Sequence, residues 1–264
     1  MIKVNRISEE IFDAKRTTSD NNPNREWEWV NDGSGDITVF IDREIKNVFY
    51  DEYTVPRYAW LLESRSIIPE IFAWTEDNAD LLMEYCEGIF TCDEELAEQE
   101  GFLYSMTNAA PWVTDRQIYP KTKLVSMISS NKSWTEGHQK RLRYVEKFKN
   151  QVDLYGTGFN PIATKEDGLR DYMFSISIEN ADYPIYFTEK LTDNFVTGTV
   201  PIFYGSRRVS KYFNRDGIIF LDDDFDISML SAELYHSMMG AIEENFLIAD
   251  SMVTAEDWIA KRYL

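Results

Sequence analysis

The chain has 264 residues, 44% of them hydrophobic and 14% aromatic, which is enough to core one large domain or two small ones and excludes a disordered chain. A formal net charge of -19 sets up a field that repels polyanions, so general attraction to nucleic acid or to an anionic membrane is excluded as well. Cys86 and Cys92 are too few for a disulfide framework or a zinc site, and reduced thiols in the cytoplasm are the expectation.

The opening MIKVNRISEEIFDAKR carries charge throughout, and no apolar run nears the roughly 18 residues of a spanning helix, so neither a signal peptide nor an anchor is expected. Residues 1–35 read as polar and irregular, with turn formers at Asp20, Asn21, Asn22, Pro23 and Asn24 and a Gly33-Ser34-Gly35 break. They predict a loose start. Ile37 to Ile41 reads as a first strand and Arg57 to Leu62 as a second, ending where the apolar run stops at Glu63-Ser64. Pro69 to Trp74 and Asn78 to Tyr85 predict short helices, and Gly88 to Thr91 a strand. Asp93 to Gln99 predicts a helix capped by Asp93 and closed near Gly101. This alternation suggests a small α/β domain over residues 1–115, its last element ending near Trp112.

Pro111 and Pro120 bracket a connector, and no repeat or low-complexity tract is visible. Lys123 to Ile128 opens a second α/β domain, residues 116–264. Gly137 to Lys149 follows as a basic helix, then Val152 to Tyr155 as a strand running into Gly156-Thr157-Gly158. Those glycines lack the full pattern of a phosphate loop and read as a tight turn. Gly217 to Leu221 predicts a last strand, and the pattern from Ser228 onward is helical with a break near Asp250 to Thr254.

The stretch from Asp171 to Gly205 organises the rest. Met173 to Ile178 is short, apolar and β-prone, and Glu179 and Asn180 stand at its carboxyl end. After Pro184, Thr188 is a good N-cap, Glu189 opens the first turn, Leu191 and Phe195 share a face, and Gly198 ends the helix. Thr199 to Phe203 is the next strand. Strand, crossover helix and strand imply a parallel sheet, whose ligands sit beyond the carboxyl ends near helix N-termini. A lysine at such a terminus suits phosphate, and a glutamate beside it suits hydroxyl groups, so the ligand should carry phosphate and sugar. The same spacing also describes a solvated first turn.

These residues resemble the donor-binding core of the glycosyltransferase family 10 fucosyltransferases. The pattern is carried by Phe174, Glu179-Asn180, Tyr186, Thr188-Glu189-Lys190, Gly198-Thr199-Val200-Pro201 and Gly205. The similarity runs from Ser126 to Phe225 and thins out in the first half of the chain. It implies a soluble enzyme of bacterial or viral type with an α/β, GT-B-like fold of two Rossmann-type domains facing across a cleft. The acceptor side would precede residue 115, the nucleotide-sugar side would follow it, and the last helix would return to the first domain. The implied reaction moves L-fucose from GDP-fucose to a glycan hydroxyl with inversion. The alternatives are another nucleotide-sugar donor, or a glycan-binding relative without catalysis.

Site residues follow position by position. Ser130 and Asn131, after the strand that opens the second domain, would approach the donor, as would Gly156. Arg141 sits seven residues before Phe148, where the family places an arginine on the diphosphate, with Arg143 and Lys140 as neighbouring alternatives. With Lys190 it would offset charge growing on the departing nucleoside diphosphate. Glu179, Asn180, Tyr186 and Glu189 would complete the donor site. Glu63, after an early strand, matches the family's proposed general base, with Glu70 and Glu76 as alternatives. His138 and His236 fall in helical patterns that point to structural roles. Asp222-Asp223-Asp224 reads as an acidic loop rather than a metal site, and no cofactor is required, a divalent metal serving at most to help product release. The expected partners are therefore a nucleotide-sugar donor and a glycan acceptor, with no nucleic acid and no membrane span.

Overall fold

The computed structural model describes residues 1–9, 18, 19, 21–50, 54–134 and 136–264. Within it the chain divides into two compact units, residues 1–108 with 253–264, and residues 109–252.

The first unit is built on a six-stranded parallel sheet. Its strands are β1 (Ile2–Ile7), β2 (Trp27–Val30), β3 (Ile37–Ile41), β4 (Arg57–Leu61), β5 (Gly88–Thr91) and β6 (Phe102–Tyr104), in the order β2-β1-β3-β4-β5-β6. All five residues of β3 are buried, as a central parallel strand covered on both faces requires. Trp27, Trp29 and Trp60 meet on one face, with ring centroids 5.0 to 6.5 Å apart. Two helices, α1 (Pro69–Asp77) and α2 (Ala79–Leu82), contribute Ile71, Phe72 and Leu82 to the other.

The described part of the chain's start is therefore not loose. Ile2 and Val4 pair into the sheet between charged neighbours that hide the strand pattern, and Trp27 and Trp29 alternate inward past the predicted turn. Of that turn, Asp20 lies outside the described residues, as does residues 10–17 of the opening segment. The helix expected over Asp93 to Gln99 is only a 3-10 turn, Leu96–Glu98. Asp93 does cap it, accepting from Glu95 and Leu96, but Gly101 at φ +84° reverses the chain into β6 too soon for a longer helix.

The second unit holds a five-stranded parallel sheet in the order β11-β10-β9-β7-β8. Its strands are β7 (Lys123–Ile128), β8 (Asp153–Tyr155), β9 (Tyr172–Ile178), β10 (Val200–Tyr204) and β11 (Ile219–Phe220), with α3 (Glu136–Phe148) after β7 and α4 (Glu189–Phe195) between β9 and β10. Phe174, Ile176, Val200 and Ile202 form the centre of its core, and Tyr144, Val145 and Phe148 pack onto it from α3. Two further helices, α5 (Ala232–Ser237) and α6 (Met239–Asp250), close this unit.

The final helix, α7 (Ala255–Tyr263), belongs to the first unit. Its first turn explains why: buried Asp257 accepts the backbone N–H groups of Arg25 and Glu26 at 2.8 to 2.9 Å, and Glu256 accepts from Thr18 and the Trp29 indole. Among the described residues no helix is long and apolar enough to cross a membrane.

Candidate functional site

In the second unit β7 has β8 on one side and β9 on the other, so the strand order reverses between β7 and β9. Parallel sheets open to ligands at the carboxyl ends of such a pair. A cavity of about 400 Å³ lies here, and Ser130, Arg141, Gly156, Lys165, Glu189 and Lys190 are on its wall.

Each arrives for a local reason. Ser130 follows β7, and its Oγ accepts from Arg141 Nη2 at 2.8 Å, an arrangement α3 makes possible by carrying Arg141 back over the strand end. The guanidinium also donates to the Ser130 carbonyl and to Asn180 Oδ1, at 3.3 and 3.4 Å, while its Nε is buried with no partner among the described residues. Gly156 adopts φ +110°, and a Cβ there would collide with the Ser129 carbonyl. Only glycine fits that close approach.

Helix α4 sets the charged wall. Thr188 caps it, its Oγ1 accepting the Lys190 N–H at 3.4 Å, and Thr188 is in turn held by Glu179, which accepts its N–H at 2.7 Å and its hydroxyl at 2.9 Å. Glu179 is wholly buried beneath the helix start and burial pushes its carboxyl up, Lys190 opposing that from 3.5 Å. Lys190 lies 3.5 Å from Glu189 too. Burial disfavours the Lys190 charge, but Glu189 and Glu179 outweigh it and raise its affinity for the proton. For Glu189 burial likewise opposes ionisation, and Lys165 and Lys190 overcome it and hold the carboxyl at about 2.

Lys165, Asp193 and Trp112 were not among the residues singled out from sequence. Lys165 stands in a 3-10 turn, Lys165–Gly168, opened by a Thr164/Asp167 capping box, and that Thr-x-x-Asp pattern was the one local signal available. Its Nζ bonds Asp193 Oδ2 at 2.7 Å and Glu189 Oε1 at 3.2 Å and sits 4.3 Å from the centre of the Trp112 ring. Asp193 also accepts the backbone N–H groups of Trp112 and Val113 at 2.7 and 3.0 Å. Three carboxylates, Glu179, Glu189 and Asp193, thus meet two cations, Lys165 and Lys190, and each of these charges has an opposite neighbour, without which burial would be prohibitive.

Four expected donor residues stand off the cavity wall. Asn131 is exposed, its N–H bonded to the Thr157 carbonyl. Glu179 is a clamp under α4, Asn180 steadies Arg141, and buried Tyr186 packs on Tyr183 with ring centroids 4.8 Å apart. His138 is buried on α3, where burial and then Arg141, Lys132 and Lys190 disfavour its protonation. Asp222 pairs with Arg207 and Asp223 accepts from Tyr144, and no metal-holding group of His, Cys, Asp and Glu occurs among the described residues. Glu63 lies in the first unit, exposed just beyond β4, with its N–H donated to Asp42 Oδ1 at 3.1 Å.

An ordered cation pair beside an ionised carboxylate can hold a diphosphate and accept bonds from sugar hydroxyls. Residues 118–239 match the sequence model of glycosyltransferase family 10 (fucosyltransferase), C-terminal part. A 4-galactosyl-N-acetylglucosaminide 3-alpha-L-fucosyltransferase 9 of Bos taurus is 30% identical over 138 residues, 50% of this chain and 36% of the relative. Its Homo sapiens counterpart is 29% identical over the same length. The matched part is thus about a third of these relatives. Crystal structures of an alpha1,3-fucosyltransferase, alone and with GDP-fucose, superimpose with TM-scores of 0.52 and 0.51 at 15% and 14% identity, covering 95% of this chain and 81% of theirs. That likeness concerns the fold, and it agrees with the α/β, GT-B-like class. The strand, the capped helix, Arg141 and the lysine-carboxylate cluster all lie inside residues 118–239, the part of the chain that matches the glycosyltransferase family 10 model.

Proposed function

We propose that the chain transfers L-fucose from GDP-fucose to a hydroxyl of a glycan, with inversion at the sugar carbon. The observation that carries this reading is the placement of Arg141 and Lys190 on one cavity wall with ionised Glu189 between Lys190 and Lys165. In an acidic molecule this wall carries four cations, Lys132, Arg141, Lys165 and Lys190, against two carboxylates, Glu189 and Asp193, a local positive excess of the kind a nucleoside diphosphate needs.

The acceptor oxygen attacks the anomeric carbon as the bond from that carbon to the β-phosphate oxygen breaks. The acceptor proton passes to the Glu63 carboxylate, and the electron pair leaves with GDP. Arg141 and Lys190 stabilise the charge that grows on the diphosphate, an effect worth about 10²–10³ in rate per donor in comparable sites. Glu189 accepts from a sugar hydroxyl, while Ser130 and Asn180 keep the guanidinium in place. Gly156 lets the nucleotide approach the backbone.

Titration calorimetry with GDP, UDP and ADP, followed by a transfer assay with GDP-fucose and a glycan acceptor, tests the reading. Preferential GDP binding and fucose transfer are expected. Preference for UDP or ADP would replace the donor, and GDP binding with neither transfer nor donor hydrolysis would leave a glycan-binding protein.

A further inference from the structure

The first unit repeats the strand reversal: β1 lies between β2 and β3, so its sheet opens to ligands beyond the carboxyl ends of β1 and β3. Asp42 is the first residue past β3, and Glu63 lies beyond the adjoining strand, β4. Asp42 holds φ +53°, in the left-handed region where a side chain is strained. Its Oδ1 accepts two backbone N–H groups from the end of β4, Leu62 at 2.8 Å and Glu63 at 3.1 Å.

Glycine would make the same turn without strain. What glycine cannot supply is the carboxylate, and that carboxylate grips the peptide that bears Glu63. The charged groups facing it are Glu63 from the end of β4 and Arg43 from its own turn, and Arg43 is drawn outward by Glu9 at 3.3 Å and Glu70 at 2.9 Å. Burial pushes the Asp42 carboxyl up to about 7, the Glu63 charge adding to this and the two N–H bonds and Arg43 opposing it.

We propose that Asp42 is a positioning residue for the transfer reaction, anchoring the Leu62–Glu63 peptide at the edge of the first sheet and standing as a second carboxylate beside the base. The inference rests on the reading of Glu63 as proton acceptor. Asp42 touches no reacting atom: the acceptor proton goes to Glu63, and above about pH 7, where the Asp42 carboxylate is charged, it makes that protonation more favourable.

Asp42→Asn keeps an oxygen for both N–H bonds and removes the charge, whereas Asp42→Gly relieves the strained turn and removes both. Each is measured in the full chain beside Glu63→Gln, reading GDP affinity, thermal midpoint, and kcat and acceptor KM from about pH 5 to 9. GDP affinity should stay within about twofold in all three, because the diphosphate cations are elsewhere. Asp42→Asn should fold as wild type, lose kcat by about 10- to 100-fold and shift the acid limb of its pH profile. Asp42→Gly should lose more and also raise acceptor KM. An Asp42→Asn profile superimposable on wild type overturns the inference even if Glu63→Gln is inactive. Wild-type turnover in Glu63→Gln, or no GDP binding by the wild type, removes the parent reading and Asp42's role with it.

Discussion

In the second unit the residue that leaves β9 is Glu179, and in the first the residue that leaves β3 is Asp42. The two sheets share a strand order, so these carboxylates occupy the same topological place, and burial raises the proton affinity of both. Their surroundings diverge. Glu179 is enclosed with Lys190 and clamps a helix, in a cluster where Lys165, Glu189 and Asp193 complete the balance. Asp42 grips a strand end, and its nearest cation, Arg43, is half exposed and occupied by two other carboxylates. Topology chooses which strand ends a parallel sheet leaves open, and the side chains around each end choose how the carboxylate there is held.

The sharpest way to break the contrast is Lys190→Ala, which leaves Glu179 and Glu189 short of a cation. A loss of about 10²–10³ in kcat/KM is expected for the transfer reaction, checked by steady-state kinetics with GDP affinity measured alongside. Next is Lys165→Met, which strands Asp193 and Glu189, whose side chains are only 2% and 10% exposed. Urea unfolding should show a loss of roughly 3–5 kcal/mol, the range for removing one partner of a buried pair.

The two edges should also respond to pH with opposite sign. Glu189 has its proton affinity depressed to about 2 from an ordinary 4.5, so its contribution to stability is present above pH 4.5 and is lost as pH falls through about 2. Asp42 is raised to about 7 from 3.8, so its contribution is present below 3.8 and is lost as pH rises through about 7. Urea midpoints across pH should therefore lose part of their acid slope in Glu189→Gln and part of their slope up to neutrality in Asp42→Asn. The smallest effect belongs to Arg43→Ala, whose ion pairs are about half exposed; a change under about 1 kcal/mol is expected for such pairs, and a larger one would show that the first unit's edge is more tightly coupled than its exposure implies.

Much of this was visible in local order. Apolar runs marked β3, β4 and β9, whose buried residues need no partner to be recognised, and Thr188 and Gly198 bracketed α4 because caps are chemistry of adjacent residues. Ser130, Arg141, Gly156, Glu189 and Lys190 were expected from the resemblance to glycosyltransferase family 10, and all of them line the cavity. Strands β1 and β6 escaped because one is interrupted by charge and the other has three residues, too few to show a period.

What tertiary structure alone decided is which charge meets which. Lys165 reaches Asp193 across 28 positions, Asp193 reaches the Trp112 peptide across 81, and Asp42 reaches Leu62 across 20. A helix cap or an apolar period is written in neighbours three or four apart, so sequence by itself determined the elements that carry such a mark, β3, β4, β9 and α4 among them. Pairing across such distances depends on strand order and on how far each loop carries its residue, and these emerge only when the sheet closes and buried charge must find its opposite.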